Sequence, residues 1–466
     1  MQGVPAIMLP KFAEYLEKGD FLSLQQTNKR THGDLKSFID IKKYSMYIKI
    51  SKAFDTSYGY TRSMIKKLII DETKNIDPKF LSTNFPILQK LIIKKPISHM
   101  FIVNNLKILP NTLISLTLNY DFNQSLIEEG KSVLPEFLES LDLSKRFNQP
   151  LIENRVKALP DTLKSLKIGS LYNQILMVSG ESVLPRSLKL LDLHDFNGTL
   201  ILEGKSVLPE SLESLDLGYR FNQPLMVNKV KALPKNLKTL KFLHYFDQPL
   251  IVERESVLPE SLESLVLSYN FNQPLIQDEV KALPDTLKSL DLGYKFYQSF
   301  MVKKVKALPK NLKTLKFNYD QPLIVERESV LPESLETLVL SYTFKYPLIQ
   351  DGVKALPDTL KSLDLTVPYL MGSFVDTPFN INGTKALPES LESLTISLSY
   401  EQSNNLDRYL NWFGSEIQVS QPHLLHPYLP NFLNKIIFNY YDIQNRGTYV
   451  TKYYNKITQS LHDLPQ

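Results

Sequence analysis

Histidine is the residue type in this chain best suited to bind a metal ion or transfer protons, because its ring nitrogens ligate metals and titrate near neutral pH. His423 and His426 would lie one turn apart on a helix, a spacing that can place two ligands on one ion. Neither an acidic residue nor a third histidine lies beside them. The other histidines are scattered: His32, His99, His194, His244 and His462. The sequence therefore predicts no metal site.

Two short segments resemble the end of a phosphate-binding loop. Residues 130–132 and 204–206 both read Gly-Lys-Ser, but each lacks the upstream glycine of that motif. Both precede Val-Leu-Pro at the same place in a repeated pattern, which indicates connecting chain. No Ser/His/Asp set or carboxylate pair stands out from that pattern. We therefore expect neither a cofactor nor an enzymatic activity.

The repeated pattern is a Leu-Pro pair that recurs mostly every 25 residues. Its prolines are Pro110, Pro135, Pro160, Pro185, Pro209, Pro234, Pro259, Pro284, Pro309, Pro332, Pro357 and Pro388. A fixed period of this length is typical of a solenoid, in which each repeat buries its apolar face against its neighbours. Any functional surface should therefore be a repeated one or lie at one of the two ends of the chain.

One repeat, residues 208–225, reads LPESLESLDLGYRFNQPL. Its leucines follow the proline by three, six and eight residues, and the last two alternate with Asp216, as in a short strand with one buried face. This L-x-x-L-x-L pattern is that of leucine-rich repeats. The sequence thus predicts an α/β to mostly β solenoid of leucine-rich-repeat type. Each repeat of about 25 residues contributes one parallel strand, between a small N-terminal helical motif and an atypical C-terminal cap.

A short amide side chain recurs after each predicted strand. The residues are Asn123, Asn148, Asn173, Asn197, Asn222 and Asn272, with Asp247 and Asp320 in register. Asn and Asp can hydrogen-bond backbone groups that a turn leaves unpaired. We expect a structural asparagine ladder inside the coil; the alternative is contact with a ligand.

The segment around this asparagine resembles a known family. Residues 147–151, 221–225 and 271–275 all read FNQPL, and over about residues 105–365 the chain resembles FNIP repeats. That family is a leucine-rich-repeat variant of amoebae and the giant viruses that infect them. Residues 196–199 (FNGT) and 296–299 (FYQS) depart from the motif, and we expect the bend to be irregular there.

The resemblance and the composition divide the chain into four parts. Residues 1–45 form a helical motif, 46–104 degenerate repeats, 105–400 the main solenoid and 401–466 a C-terminal region that contains an insertion near 401–425. The last part holds the single tryptophan, Trp412, and many tyrosines. We interpret it as a cap over the last open core; an aromatic partner-binding tail is the alternative.

The N-terminal motif, residues 9–30, resembles an F-box. The matching positions are Leu9, Pro10, Leu16, Asp20, Phe21, Leu22, Leu24, Thr27 and Asn28. The resemblance implies binding to a Skp-type adaptor of cullin ubiquitin ligases. The alternative is that these residues only cap the solenoid.

The overall composition narrows the choice of partners and compartment. A net charge of +5 on 466 residues gives no electrostatic basis for nucleic-acid binding. Cysteine is absent, so disulfides are excluded. Neither a signal peptide nor an apolar membrane span is recognisable. We expect a cytoplasmic monomer, located in the host cytoplasm if the protein is viral.

The solvent face of the predicted strands is the best candidate for binding an unknown protein target. Residues five and seven after each proline point outward, and the seventh position varies: Asp142, Lys167, Asp192, Asp216, Lys241, Val266, Asp291, Lys316, Val339 and Asp364. The fourth position is Glu or Lys and is mostly opposite in sign in neighbouring repeats, which could instead stabilise the stack through ion pairs. Tyrosines ten residues after their prolines could be binding anchors at the rim or core filler. The predicted function is a substrate receptor of a ubiquitin ligase or, alternatively, a scaffold or decoy.

Overall fold

The computed structural model describes residues 66–70, 81–94 except 82 and 84, 102–103, 106–107, 109–318 except 119 and 144, 321–366 except 342–345, 380–381, 384–397, 435–442, 448–455 and 460–463. The chain divides into two compact units. The first comprises Met1–Val178 and Ser182–Leu188, and the second comprises Ser179–Glu181 and Lys189–Gln466.

Parallel strands, one per repeat, form the sheet of the first unit. They are Lys67–Ile70, Lys90–Ile93, Ser115–Thr117, Ser140–Asp142 and Ser165–Lys167. Each pairs with the next in unbroken register, so Leu91, Leu116 and Leu141 lie side by side. The first two strands extend the stack N-terminally of the first Leu-Pro pair.

The second unit is built in the same way. Its parallel strands are Leu190–Asp192, Ser214–Asp216, Thr239–Lys241, Ser264–Val266, Ser289–Asp291, Thr314–Phe317, Thr337–Ser341, Ser362–Thr366, Ser393–Ser397 and Lys435–Asp442. Strand Lys435–Asp442 pairs parallel with Ser393–Ser397, and the antiparallel strands Thr448–Asn455 and Ser460–Asp463 follow it. Parallel pairing thus gives way to antiparallel pairing at the end of the sheet.

The leucine pattern explains why each repeat adopts this geometry. Leu215 and Leu217 are fully buried, whereas Asp216 between them is partly exposed. The backbone N–H of Leu212 donates to the carbonyl of Pro209 (3.1 Å) and closes the turn that leads into the strand. The predicted solenoid of leucine-rich-repeat type, with about 25 residues per repeat, is confirmed.

A second structural element was not predicted, namely a very short hairpin that follows each strand of the stack from Lys90–Ile93 to Ser362–Thr366. Its strands, in chain order, are Ile102–Val103, Leu106–Lys107, Ile127–Glu128, Lys131–Ser132, Ile152–Glu153, Val156–Lys157, Met177–Val178, Glu181–Ser182, Ile201–Leu202, Lys205–Ser206, Met226–Val227, Val230–Lys231, Ile251–Val252, Glu255–Ser256, Ile276–Gln277, Val280–Lys281, Met301–Val302, Val305–Lys306, Ile324–Val325, Glu328–Ser329, Ile349–Gln350, Val353–Lys354, Asn380–Ile381 and Thr384–Lys385. Two residues with positive φ form each of the described turns, from Glu129-Gly130 to Asp351-Gly352, as in a type I′ hairpin; Lys303 (49°) and Lys304 (65°) are one such pair.

Stacked phenylalanine rings fill the space behind the strands of the second unit. Phe246, Phe271 and Phe296 are fully buried, and successive ring centroids lie 6.1 Å apart with planes within 4° of parallel. Phe196 and Phe296, in two of the repeats that depart from the FNQPL motif, are buried like the others. The chain bends at Gly198, as it does at this position in none of the FNQPL segments, whereas residues 296–299 show no such bend. The predicted irregularity is therefore seen in the first of these repeats only. Thr199 and Ser299, which stand at the motif's proline position, hydrogen-bond the backbone two residues on.

In most repeats the side chain two residues after the proline ties the repeat to the one before it. Thr162, for example, donates to the carbonyls of Glu136 (2.6 Å) and Leu138 (3.0 Å) in the preceding repeat. Thr286 and Ser261 make the equivalent pairs of bonds. Phe137 occupies this position in the first unit, cannot donate a hydrogen bond, and is 66% exposed.

Replacing Phe137 by threonine should stabilise the first unit by about 1 kcal/mol, because the new hydroxyl can donate to carbonyls of the preceding repeat. Urea denaturation of both proteins measures the difference. Phe137→Val is the control, since valine is similar in shape to threonine but has no hydroxyl. Equal stability of the two variants would contradict this interpretation.

Candidate functional site

The charges at the fourth position form ion pairs from repeat to repeat on the strand face. In the second unit, Glu213 contacts both Lys189 (3.0 Å) and Lys238 (3.1 Å). Glu336 likewise contacts Lys313 (2.7 Å) and Lys361 (3.1 Å). Two further pairs are Lys164–Glu139 and Lys288–Glu263, both at 2.7 Å. Opposite charges on neighbouring strands thus neutralise one another.

These contacts shift the titration of the carboxylates. Hydrogen bonds from Lys189 and Lys238, and then their positive charges, lower the pKa of Glu213 below its ordinary value of 4.5. The same arrangement with Lys313 and Lys361 lowers the pKa of Glu336. Because the folded state favours the charged form, the ion pairs stabilise the protein above pH 4.5. Their contribution is lost as the pH falls through the lowered pKa values.

We expect the double variant Glu213→Gln/Glu336→Gln to lose less stability on acidification than the wild-type protein. Urea denaturation of both proteins at about pH 6 and about pH 3 measures this, because only the wild-type protein loses these pairs in that interval. Other carboxylates titrate in both proteins and cancel in the comparison. Identical losses would show that the pairs do not contribute.

Positions seven after the prolines also lie on the strand face. Asp216 pairs with Lys241 (3.2 Å), and Asp291 pairs with Lys316 (3.0 Å). The predicted set (Asp142, Lys167, Asp192, Asp216, Lys241, Val266, Asp291, Lys316, Val339 and Asp364) is partly or well exposed throughout. The pairing favours a structural role for charges on this face, and binding of a target by them stays a prediction.

Aromatic side chains line the exit of the strands in the second unit. Tyr219 and Tyr269 are 45% and 39% exposed, so they are not core filler. The ring of Tyr269 is stacked between those of His244 (5.1 Å) and Tyr294 (4.7 Å), with planes within 6° of parallel. We call the set His194, Tyr219, His244, Tyr245, Tyr269 and Tyr294 the aromatic row.

The residues just before two of the tyrosines fix where the row lies. The Asp216 carboxylate accepts a hydrogen bond from the N–H of Gly218 (2.9 Å), which has a φ of 64°. The N–H of Tyr219 then donates to the carbonyl of His194 (2.7 Å) in the preceding repeat. Asp291 and Gly293 repeat the first of these contacts at 3.0 Å. Each Asp-Leu-Gly-Tyr segment therefore turns the chain at the strand exit and directs it to its tyrosine.

Other polar groups surround the row. The Lys295 ammonium lies 5.8 Å from the centroid of the Tyr269 ring, and the side-chain amide of Asn270 lies 3.4 Å from Nδ1 of His244. Tyr219 meets His194 edge to face at 5.3 Å. Rings held by stacking lose little conformational freedom when they bind, which is why tyrosine is common in binding surfaces. Sequence reasoning identified Tyr219, Tyr269 and Tyr294 but missed Tyr245 and the two histidines.

The asparagine ladder connects successive repeats at the surface. Oδ1 of Asn222 accepts hydrogen bonds from the N–H of Asp247 (3.0 Å) and the side chain of Gln248 (3.0 Å). Asn123, Asn148, Asn197, Asp247 and Asn272 accept equivalent backbone bonds. The ladder residues, Asn173 included, are exposed or half-exposed. They do not lie inside the coil, and they bond the next repeat, not groups in their own turn.

Replacing Asn222 by alanine should cost about 1 kcal/mol, because the Asp247 N–H and the Gln248 amide lose their acceptor. Asn222→Asp should cost much less, since Asp247 already serves the same purpose by accepting the N–H of Asn272 at 2.8 Å. Urea denaturation of the two variants checks this. A carboxylate variant as unstable as the alanine variant would refute the role of Oδ1.

Several predicted features lie outside the described residues. These include the F-box-like positions Leu9, Pro10, Leu16, Asp20, Phe21, Leu22 and Leu24, the histidine pair, and Trp412 with the insertion. Within the described part of the chain, no group of three or more His, Asp or Glu side chains could hold a metal ion. In that same part, no helix is long and apolar enough to cross a membrane.

Each unit is therefore a β-solenoid of leucine-rich-repeat type, a class defined by its parallel strand stack and outward-facing strand residues. The profile of one family, "FNIP Repeat", matches residues 104–146, 130–170, 147–196, 203–242, 246–295 and 327–366. No curated protein sequence matches the chain.

Similar solved structures include the following two. One is "The crystal structure of CroV588 a novel circular LRR protein structure", at 27% identity and a TM-score of 0.49, covering 81% of this chain and 60% of that one. The other is "Crystal structure of TLR13-ssRNA13 complex", at 18% identity and a TM-score of 0.44, covering 77% and 61%. This chain thus spans about 60% of the length of either structure.

Proposed function

We propose that the chain is a protein-binding solenoid whose second unit holds its partner on the aromatic row and the adjoining strand face. The observation that carries this is the partly exposed stack of His244, Tyr269 and Tyr294, whose rings pack on one another. The neighbouring charges pair with one another, so the tyrosines supply the strongest contacts and the small strand residues allow a partner to approach closely.

The test is a quantitative affinity purification from cells in which the chain is naturally expressed, with the wild-type protein and the variant Tyr219→Ala/Tyr269→Ala. A bound protein should fall at least about tenfold with the variant, as for loss of contacts worth about 1.4 kcal/mol or more. Tyr297→Ala is the control, because Tyr297 is 47% exposed but lies outside the row. Equal recovery with all three proteins would reject the row as the binding site.

We propose further that residues 1–45 bind a Skp-type adaptor, which would make the chain the substrate receptor of a ubiquitin ligase. The support is the F-box-like pattern that includes Leu9, Pro10 and Leu22. Co-precipitation of the adaptor with the full chain should be lost in the variant Leu9→Ala/Pro10→Ala/Leu22→Ala. No adaptor recovery from either protein, or equal recovery from both, would leave the chain a scaffold or decoy that binds its partner without coupling to a ligase.

A further inference from the structure

The short hairpins of the second unit present a surface at a different position of the repeat from the strand face. Residues on a strand alternate between its two sides. Ile251 is buried, whereas the next residue, Val252, is partly exposed and pairs across the hairpin with exposed Glu255. The outward-facing residues of successive hairpins therefore form a continuous row, which we call the hairpin row.

Much of the hairpin row is apolar although it faces solvent. Val227 and Val302 are 40% and 42% exposed. The other apolar members are partly exposed: Leu202, Val230, Val252, Val280, Val305, Val325 and Val353. At about 4.8 Å per repeat, the six hairpins from Val227 to Val353 extend roughly 24 Å. Contiguous apolar residues on a surface commonly mark an interaction site.

The turn residues beside this apolar strip carry a particular order of charges. Asp278 and Glu279 together carry two negative charges, and Lys303 and Lys304 in the next hairpin carry two positive charges. All four side chains are exposed. The turns on either side of this pair, Glu253-Arg254 and Glu326-Arg327, are each neutral.

The next turns outward continue the pattern. Asn228-Lys229 has one positive charge, and Asp351-Gly352 has one negative charge. From the midpoint between the 278–279 and 303–304 turns, each of these six turns therefore matches a turn of equal and opposite charge, or of zero charge, on the other side. Reversing the row end to end superimposes positive turns on negative ones.

We propose that the hairpin row binds the hairpin row of a second copy of this chain, antiparallel, about a two-fold axis at that midpoint. A two-fold interface uses the same patch on both copies, so each turn meets its opposite. Asp278 and Glu279 of one copy then face Lys303 and Lys304 of the other, twice in each dimer. The apolar strips cover one another between these contacts. The result is a dimer, in contrast to the monomer that the sequence predicted.

Two features of the row bear on this pairing. Glu255 would meet Glu328 of the second copy, but Lys231 and Lys306 of the neighbouring hairpins partly neutralise these carboxylates at 3.4 Å and 3.7 Å. A parallel arrangement in register would instead place the doubly charged turns on turns of the same sign. A different protein as partner would require no such inverse symmetry, which is why we assign the surface to a second copy.

Sedimentation equilibrium of the full chain tests the proposal. The wild-type protein should show about twice the chain mass of 53.6 kDa, and Lys303→Glu/Lys304→Glu should return it to the single-chain mass. Asp278→Lys/Glu279→Lys should do the same. These changes suit the turns, because Glu253 and Glu279 already adopt the two positive-φ conformations that Lys303 and Lys304 adopt. A wild-type monomer would overturn the proposal.

Mixing the two variants supplies the decisive measurement. All facing charges then become opposite again between unlike chains, so the mixture should recover the dimer mass while each variant alone stays monomeric. Lys235→Glu/Lys310→Glu is the control, since it changes the net charge equally at exposed lysines that directly follow a Leu-Pro pair, and it should remain a dimer. A monomeric mixture, or a monomeric control, would overturn the proposed register. The hairpin row is a different surface from the aromatic row. The dimer mass therefore does not depend on whether the aromatic row binds a partner.

Discussion

Replacing Gly218 by alanine should lower the free energy of unfolding of the second unit by about 4 kcal/mol, an effect at the upper end of single substitutions. A Cβ at this position would lie 1.4 Å from the carbonyl oxygen of His194. That oxygen is fixed by the N–H of Tyr219, so the backbone itself must move. The strand exit would open, and Tyr219 would leave the aromatic row.

Gly204→Ala is the matched control. Gly204 has a φ of 70°, close to the 64° of Gly218, but no atom lies within 4 Å of a Cβ built on it. The control therefore pays only the cost of a left-handed alanine, about 1–2 kcal/mol. Urea denaturation of the three proteins gives both values. Equal losses in the two variants would show that conformation, and not the close approach to His194, requires glycine at 218.

The strand stack could be predicted from the sequence because one simple physical rule governs it. Leu215 and Leu217 alternate with Asp216, and their recurrence every 25 residues leaves a parallel stack as the way to bury them. The register also follows, since equivalent leucines must meet. These inferences use only periodicity, which is the most reliable signal in a single sequence.

The hairpins could not be recognised in the same way. Type I′ turns are normally signalled by Asn-Gly or Asp-Gly. In the second unit Asp351-Gly352 carries that signal, but Lys303-Lys304 and Glu253-Arg254 form turns of the same kind without it. Tertiary packing selects the conformation there: the inward residues Met301 and Ile251 are buried and hold the hairpins against the core. Where packing overrides local preference in this way, the sequence does not indicate a hairpin. The charge order along the turns can be recognised only once the structure has placed the turns side by side.

Only part of the aromatic row could be predicted from the sequence, because the repeat spacing is not constant. Tyrosines at the tenth position were evident, but His194 lies nine residues after its proline because that repeat is one residue short. Its ring nonetheless meets that of Tyr219 at 5.3 Å. For the asparagine ladder, the prediction of its position inside the coil was wrong. Its spacing correctly suggested a repeated hydrogen bond, but spacing does not tell which side of the bend faces solvent.

Replacing Phe271 by alanine should cost about 4 kcal/mol, because it removes a fully buried ring from between Phe246 and Phe296 and leaves a cavity. Phe271→Leu fills part of that space and should cost about half as much. Since each repeat contacts only its neighbours, amide exchange should accelerate in strands Thr239–Lys241, Ser264–Val266 and Ser289–Asp291 and stay slow in Ser362–Thr366. Uniform acceleration through the second unit would mean that it unfolds as one cooperative block. The aromatic row would then depend on every ring in the core, and not only on those directly behind it.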